Sequence, residues 1–343
     1  MFPIVNNTIR VKQINVELVK TALRALSFGT KLTIANATGL SVATCGNILN
    51  ELLERGEVIE ADLEQSSGGR PARRFIYNVN YAYIACIYVA KEGGTCRIIH
   101  AVTNLAGEMI EKDSTEVESI NYETIDNLIA KLIGSYGNIR AVGFGIPGIV
   151  QNGVIGACDI EELSNILLVS RLKASYNVNF TVENDMNLTT YGFYKKQNYG
   201  DGKTVAVVTF PQDNCAGAGI IVDGHIIKGN TNFAGEVSYL PLDISREEQL
   251  QQTSCTESFF PVMVKIITSI IAVINPETIV ITGGLIRSDM LDALAGSCRK
   301  IIPCEHMPQI IIREDMQEDY LYGLFSVTLE SLNCNIQMVE KRI

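Results

Sequence analysis

The sequence predicts an α/β protein in which a small helical N-terminal domain precedes two α/β lobes. Apolar residues follow helical spacing over residues 14–53, whereas from Tyr81 short apolar strands alternate with glycine turns and longer helices. A strand, glycine turn and strand occur at 84–102 and again at 204–222, which indicates two similar lobes with a cleft between them. Charge divides at the same boundary, because residues 1–80 carry a net charge of +2 and the remainder carries −12.

Composition excludes several classes of protein. With 47% apolar residues in 343, the chain can bury a sizeable core, and it has no apolar run of the ~18 residues that a membrane span needs. Its first residues lack the basic region and apolar region of a signal peptide. No two of its nine cysteines lie within four positions of each other, which argues against a CxxC metal site and a disulfide framework. A cytoplasmic location without membrane attachment is therefore expected.

The first eighty residues predict a helix-turn-helix. Apolar residues at helical spacing from Ile14 to Leu26 form a first helix, and 32–38 form a short second helix. Gly39 supplies the turn, and Ser41 is a suitable N-cap for a third helix that runs to Arg55. This third helix would be the recognition helix of a DNA-binding domain.

A basic loop extends this pattern to a winged helix. Short strands at 58–59 and 75–77 flank a segment that combines two glycines, a proline and three arginines, which suits a narrow minor groove. A three-helix packing module with a basic solvent loop is the alternative. Since the recognition helix begins without a cation, binding to operator DNA should require a homodimer or homotetramer that reads two half-sites. The expected DNA-contacting residues are Lys31, Ser41, Thr44, Asn47, Arg70, Arg73 and Arg74.

In the body, an Asn-Asp pair follows an apolar strand. The alternating residues of 178–182 predict a strand, and a polar, helix-like run follows Asp185. Open α/β sheets bind ligands beyond the carboxyl ends of their strands, so Asn184 and Asp185 are well placed for a small polar ligand. Asp185 could act as a general base or could hold a hydroxyl group. Alternatively, Asp185 could only cap a helix, and Glu236 could be a surface charge.

Five motifs in order make the chain resemble the ROK family (repressor, open reading frame, kinase). They are Ser67-Gly68-Gly69-Arg70-Pro71, Gly143-Phe144-Gly145-Ile146-Pro147-Gly148, Glu183-Asn184-Asp185, Gly229 through Ala234-Gly235-Glu236, and Asn275-Pro276-Glu277 with Gly283-Gly284. The resemblance implies an actin-like, hexokinase-like body at 81–343 behind a winged helix-turn-helix at 1–80. Lobe one would comprise about 81–185 with a C-terminal helix at about 318–343, and lobe two about 186–317. Asn165, Asn184, Asp185 and Glu236 would bind a sugar.

The chain departs from the family pattern where phosphate and zinc would bind. The kinases of the family carry Asp-x-Gly-Gly-Thr, but here Lys91 replaces the aspartate, and Asp213 lies in the second phosphate loop, where it would repel phosphate. Tyr239 stands where the zinc-binding histidine is usual, and Cys255 is the only cysteine of 243–260. We therefore expect no metal and no cofactor.

The resemblance thus implies a sugar-responsive DNA-binding regulator, most consistent with a repressor, and not an enzyme. Its partners would be operator DNA and a small sugar or sugar derivative as effector. An ATP-dependent kinase of a hexose or aminosugar, with Asp185 as the base and an appended DNA-binding head, is the alternative. A third possibility is a regulator that has lost its sugar and responds to another protein.

Overall fold

The computed structural model describes residues 7–61, 72–92, 95–151, 153–199, 202–212, 214–253 and 256–332. Helices in these ranges are α1 Asn7–Leu26, α2 Lys31–Thr38, α3 Val42–Glu54, α4 Tyr122–Tyr136, α5 Leu168–Ser175, α6 Asp185–Lys196, α7 Arg246–Gln252, α8 Thr256–Ile274, α9 Leu291–Arg299 and α10 Gln317–Glu330. Strands are β1 Val58–Ala61, β2 Arg74–Tyr77, β3 Tyr83–Glu92, β4 Thr95–Asn104, β5 Met109–Val117, β6 Ile139–Ile146, β7 Gly148–Gln151, β8 Val154–Cys158, β9 Asn179–Asn184, β10 Val205–Thr209, β11 Gly217–Val222, β12 His225–Ile226, β13 Thr278–Thr282 and β14 Gln309–Ile312.

Three helices and a β-hairpin form the N-terminal part. Gly39 ends α2 in the left-handed conformation, with φ of 71°, and Ser41 caps α3 by accepting a hydrogen bond of 3.1 Å from the amide of Thr44. Strands β1 and β2 pair antiparallel. Buried Leu23 and Leu49 belong to a core that continues onto the first sheet of the body. The three predicted helices and both strands are therefore present, although α1 begins seven residues earlier than the apolar spacing suggested.

The two sheets of the body have the same topology. The first has the strand order β5-β4-β3-β6-β9 and the second β12-β11-β10-β13-β14. In each, the first three strands along the chain are antiparallel neighbours, and two later strands extend the sheet in parallel. This repetition confirms the predicted mixed α/β architecture with two similar sheets.

Alternating residues of each sheet face different helices. On the first sheet, Ile87 and Phe144 pack in a core with α4 and α5, whereas Cys86 packs in a core with α10. On the second sheet, Ala206 faces α8 and α9, whereas Val207 faces α6. Helices α6 and α10 therefore lie against the inner faces of the two sheets and contact each other extensively.

The α6–α10 contact depends on two glycines. A β-carbon at Gly192 would lie within 3.0 Å of the Asp319 carbonyl oxygen, and one at Gly323 would lie equally close to the Leu188 carbonyl oxygen. The segment after Asp185 was expected to be a polar helix, but its residues 187–194 are buried. Helix α10 begins at Gln317, one residue before the predicted start of about 318.

Several elements have weak sequence signals and were not predicted. They are the hairpin β7–β8, the short helices α5, α7 and α9, and the edge strand β14. Helix α8 contains Pro261 in its second turn, where proline removes one intrahelical amide bond. In the described ranges no single helix is long and apolar enough to cross a membrane. Helices α2 and α3 together have the length and apolar composition of a membrane span, but they are bent by 113° relative to each other.

Candidate ligand-binding site

The turn from β9 into α6 is the centre of the candidate site. Strands β6 and β9 are parallel neighbours, and Ile146 pairs with Asn184 at their carboxyl ends. Asn184 caps α6 by accepting a hydrogen bond of 3.0 Å from the amide of Asn187. Its side-chain amide donates to the Gly148 carbonyl at 3.1 Å and to Asp185 at 3.0 Å. Asn184 therefore uses its polar atoms to orient Asp185, and its predicted contact with a ligand stays a prediction.

Buried Glu183 supports this turn from below. One carboxylate oxygen of Glu183 accepts hydrogen bonds of 3.0 Å from the backbone amide of Asn184 and from the side-chain amide of Asn187. The other oxygen forms an ion pair with Lys228. The burial of Glu183 is compensated by these partners, which fix the start of α6 relative to the second sheet.

Asp185 is the first residue of α6 rather than its cap, so the alternative that Asp185 is an N-cap is wrong. It accepts a hydrogen bond of 2.8 Å from the Met186 amide. The pKa of Asp185 is raised to about 7, chiefly by burial and in part by the charges of Asp159 and Glu236, against the lowering effect of the Met186 amide. A carboxyl group with this pKa changes its protonation state near neutral pH.

Three acidic side chains, Asp159, Asp185 and Glu236, thus lie within electrostatic reach of one another, and we call this group the carboxylate cleft. Glu236 reaches it because Gly235 has φ of 96° and packs directly on the Ala218 carbonyl, which leaves no room for a side chain. Burial raises the pKa of Glu236, and the charge of Asp159 adds to this effect. Sequence reasoning missed Asp159, which follows the short strand β8 and accepts a hydrogen bond of 2.7 Å from Asn214. The cleft is rich in acceptors suited to sugar hydroxyl groups.

A stacked arginine and tyrosine border this cleft. The Arg246 guanidinium lies 4.3 Å from the centre of the Tyr239 ring and also donates to its hydroxyl. The positive charge of Arg246 lowers the pKa of Glu236 and so partly offsets the effect of burial. The Arg246 charge therefore lies within electrostatic reach of the Glu236 carboxylate. Among the described residues no group of three His, Cys, Asp or Glu side chains could hold a metal ion. Cys255 lies outside them.

Asn165 lies apart from this hydrogen-bond network. It is exposed, has φ of 60°, and donates its backbone amide to the Gly156 carbonyl at 3.4 Å. No hydrogen bond in the described ranges joins its side chain to Asp185 or Glu236. A direct contact of Asn165 with a ligand stays a prediction.

An aromatic pair lies on the other side of Asp185. The rings of Tyr88 on β3 and Tyr320 on α10 are 4.9 Å apart, and the Tyr320 hydroxyl packs against Gly145 close enough to exclude a β-carbon there. Asp185 is an electrostatic neighbour of this hydroxyl. The predicted phosphate-loop substitutions cannot be placed, because Asp213, 93–94 and the side chain of Lys91 lie outside the described residues.

Replacing Tyr320 with Phe should leave the melting temperature unchanged or raise it slightly. The Tyr320 hydroxyl is buried and has no hydrogen-bond partner in the described part of the chain. Removing such a group avoids a desolvation penalty of about 1–3 kcal/mol. The loss of a few packing contacts partly offsets this gain. Differential scanning calorimetry measures the outcome. A fall of several degrees would mean that the hydroxyl has a partner in solution.

The predicted DNA-contacting residues form two groups. Exposed Ser41 and Asn47 and half-buried Thr44 lie on the first turns of α3, and the Lys31 side chain passes over Gly46 of the same helix. A second group lies at β2. There Arg73 is 68% exposed and pairs with Glu60 at 2.7 Å, and Arg74 stacks 4.5 Å from the Phe28 ring centre. Arg70 lies outside the described residues.

This chain is similar to proteins named as sugar repressors and, in fold, to proteins named as sugar kinases. The model of the ROK family matches residues 88–260, which is half of the chain. The xylose repressor of Caldicellulosiruptor bescii is 25% identical over 267 residues, which are 74% of this chain and 65% of that protein. The DNA-binding transcriptional dual regulator NagC of Escherichia coli K12 is 24% identical over 252 residues, 70% of this chain and 60% of that protein. The chain thus spans less than two thirds of the length of these relatives.

Solved structures confirm the fold. A ROK family transcriptional regulator, described as a homologue of the E. coli MLC protein, superposes with a TM-score of 0.72 at 16% identity, covering 94% of this chain and 97% of that one. A ROK hexokinase from Thermus thermophilus superposes with a TM-score of 0.57 at 16% identity, covering 74% of this chain and 100% of that one. At this level of identity the likeness extends to the fold alone, and regulators and kinases share it.

Proposed function

Because the chain belongs to the ROK family, we propose that it is a DNA-binding transcriptional regulator, most consistent with a repressor, that responds to a sugar. One observation carries the ligand-binding part of this proposal. Asp185 follows the carboxyl ends of the parallel strands β6 and β9, and Asp159 and Glu236 lie within electrostatic reach of it. Oxygens of these three side chains can accept hydrogen bonds from several hydroxyl groups of one small molecule. Asn184 holds Asp185 in position, and Asn165 is assigned as a further contact to the sugar.

Xylose and N-acetylglucosamine are the first ligands to test, because relatives of this chain are named as repressors for these sugars. Both are uncharged and offer hydroxyl groups as donors. A cleft lined by carboxylates discriminates strongly against analogues that lack a hydroxyl, since an unpaired buried acceptor is costly. Tyr239 and Arg246 at the border of the cleft would contact substituents of the ring.

Sugar binding without phosphoryl transfer fits this cleft better than kinase activity. Phosphoryl transfer depends on positioning a phosphate opposite the base and on neutralising its charge. Here the paired rings of Tyr88 and Tyr320 lie near Asp185, and Asp159 and Glu236 add negative charge around the same carboxylate. Lys91 and Asp213 depart from the kinase pattern in the sequence. Asp185 is therefore assigned to recognition, and no cofactor or metal is required.

For the DNA-binding part, we assign residues 1–80 to a winged helix-turn-helix and 81–343 to the sugar-binding domain. Helices α2 and α3 with the Gly39 turn form the helix-turn-helix, and the β1–β2 hairpin forms the base of the wing. Ser41, Thr44 and Asn47 would enter the major groove of an operator. Lys31 and the arginines at 70, 73 and 74 would contact phosphates or the minor groove.

Regulation would follow from a change in lobe closure within a cytoplasmic homodimer or homotetramer. Lobe one, about 81–185 with the C-terminal helix from about 318, would move against lobe two at about 186–317. A sugar shifts this equilibrium only as far as it binds one state more tightly than the other. Two recognition helices whose spacing depends on closure would then lose or gain the match to their half-sites.

Replacing Asn47 with Ala should weaken binding to operator DNA by about 10-fold to 100-fold, because a bidentate contact of Asn with adenine contributes about 1–3 kcal/mol. Asn47 is exposed on α3, so the variant should fold normally. The operator is first selected from random duplexes with the wild-type protein, and affinities are then measured by fluorescence anisotropy with and without sugar.

Asn127→Ala is the matched control, since Asn127 is also an exposed helical asparagine but lies on α4 of the body. Its operator affinity should equal that of the wild type. If no duplex is enriched in the selection, or if Asn47→Ala and Asn127→Ala bind equally, the assignment of α3 as a recognition helix is wrong. ATP-dependent phosphorylation of a sugar at an ordinary enzymatic rate would favour the kinase alternative.

A further inference from the structure

A crevice of about 770 Å³ separates the N-terminal helices from the first sheet. Its upper wall comes from α1, the end of α3 and β2, and its lower wall from the start of β6, from α5 and from the residues that lead into β9. Tyr77 of the N-terminal part and Tyr81 and Tyr176 of the body also line it. A molecule in this crevice would touch both parts of the protein.

The crevice is basic although the whole chain has a net charge of −10. Five cationic and two acidic side chains line it. The two acids are already engaged within the described part of the chain, since Glu57 pairs with Lys20 and Arg55, and Glu17 lies 3.6 Å from Lys20. The other three cations of the crevice are Arg24, Arg140 and Lys173.

None of these three cations forms a salt bridge to a described carboxylate. Arg24 donates to the Tyr77 hydroxyl at 2.9 Å, and its buried Nε has no partner among the described atoms. Arg140 donates to the Tyr81 hydroxyl at 3.3 Å and lies 5.7 Å from the centre of that ring. A neutral hydroxyl cannot neutralise a guanidinium. Positive charge from two elements of the body and one of the N-terminal part therefore lines one crevice with no carboxylate of the described residues paired to it.

We propose that this crevice binds a small phosphate-bearing anion. A guanidinium binds phosphate oxygens through two parallel hydrogen bonds, and an ammonium adds a mobile third donor, so Arg24, Arg140 and Lys173 match a doubly charged phosphate group. The tyrosine rings and hydroxyls offer contacts to the organic part of a phosphate ester. The site is distinct from the carboxylate cleft, where a phosphate would be repelled.

The position of the crevice connects it with the carboxylate cleft. Strands β6 and β9 begin at Ile139 and Asn179 beside the crevice and end at Ile146 and Asn184 beside Asp185. At about 3.3 Å per residue, the two sites lie about 20 Å apart along the same paired strands. An anion held by Arg24 from α1 and Arg140 from β6 would fix the N-terminal part against the sheet that carries Asp185. Direct binding of the anion does not depend on the proposed function.

Inorganic phosphate is the probe, because it lacks the sugar ring and hydroxyl groups that the carboxylate cleft would recognise. In the full chain, 20 mM phosphate should raise the melting temperature by about 2 °C over sodium chloride of equal ionic strength. The double variant Arg140→Gln, Lys173→Gln should lose at least half of this shift, and both residues are exposed, so it should fold. The double variant Lys112→Gln, Lys131→Gln removes the same charge at exposed positions outside the crevice and should keep the shift.

Asp185→Asn separates this site from the sugar site. It should keep the full phosphate shift, because Asp185 does not line the crevice. Equal shifts in the two double variants, or no shift over chloride in the wild-type protein, would overturn the proposal. A shift that Asp185→Asn abolishes and Arg140→Gln, Lys173→Gln retains would place the anion in the cleft and would equally refute it. Either result leaves the test of operator binding unaffected.

Discussion

Replacing Asp185 with Asn is expected to abolish sugar binding and, at pH 8, to raise the melting temperature of the free protein. One carboxylate oxygen of Asp185 already accepts hydrogen bonds from Asn184 and Met186, so the other oxygen is the acceptor for a sugar hydroxyl. An amide at this position would present a donor in place of one of these acceptors. A buried polar mismatch of this kind costs 10²-fold or more in affinity. The same substitution removes a carboxylate that is held close to Asp159 and Glu236.

The pH dependence follows from the pKa of Asp185, which is raised from an ordinary value of 3.8 to about 7 in the folded protein. The folded state holds this proton more tightly than the unfolded state, so folding is undisturbed below pH 4. Stability is then lost as the pH rises towards 7, and the full penalty is present above it. After allowance for partial exposure, the penalty is on the order of 3 kcal/mol. Sugar affinity should increase from pH 6 to pH 8, because the ionised carboxylate is the better hydrogen-bond acceptor.

Calorimetric titration with the effector sugar and thermal unfolding at pH 5 and pH 8 measure both effects. Asp292→Asn is the matched control, since Asp292 also lies in the first turn of a helix but is exposed on α9. Asp292→Asn should bind the sugar with wild-type affinity. Its melting temperature should depend on pH in the same way as that of the wild type. Unchanged sugar affinity in Asp185→Asn would contradict the assignment of this residue to recognition.

The turn that carries Asp185 could be predicted because its sequence signals are local. Apolar alternation ends at Val182, and the following residues have helical spacing, so the strand and the helix start are encoded within ten residues. Ser41 was equally predictable, since an N-cap acts on an amide only three residues away. In both cases the decisive interaction joins near neighbours in the chain.

Features that depend on distant parts of the chain were not predictable. Asp159 follows the irregular hairpin β7–β8 and reaches the cleft only because the two lobes bring it near Glu236. The partner of Glu183 is Lys228, which lies 45 residues later. The α6 segment contains Thr189 and Thr190, whose hydroxyls suggest an exposed helix. In the structure these hydroxyls bond to carbonyls of the preceding turn, which permits burial against α10 and the second sheet.

The contact between α6 and α10 leads to the second large prediction, that Gly192→Ala should destabilise the protein by about 4 kcal/mol. The new β-carbon would lie within 3.0 Å of the Asp319 carbonyl and of the Gly323 amide nitrogen. These are backbone atoms, so no side-chain rotation can relieve the overlap and one helix must move. Since Asp185 begins α6, displacement of this helix should also weaken sugar binding at temperatures where the variant remains folded.

Gly296→Ala is the matched control for this substitution. Gly296 also lies inside a helix, α9, but apart from its chain neighbours and the backbone of that helix no atom lies within 4 Å of the position of its β-carbon. Alanine has the higher helix propensity, so Gly296→Ala should stabilise the protein by up to about 1 kcal/mol. Scanning calorimetry of the two variants should therefore give shifts of opposite sign. Equal shifts would show that α6 and α10 can separate without cost, and a loss of sugar affinity confined to Gly192→Ala would show that their contact positions Asp185.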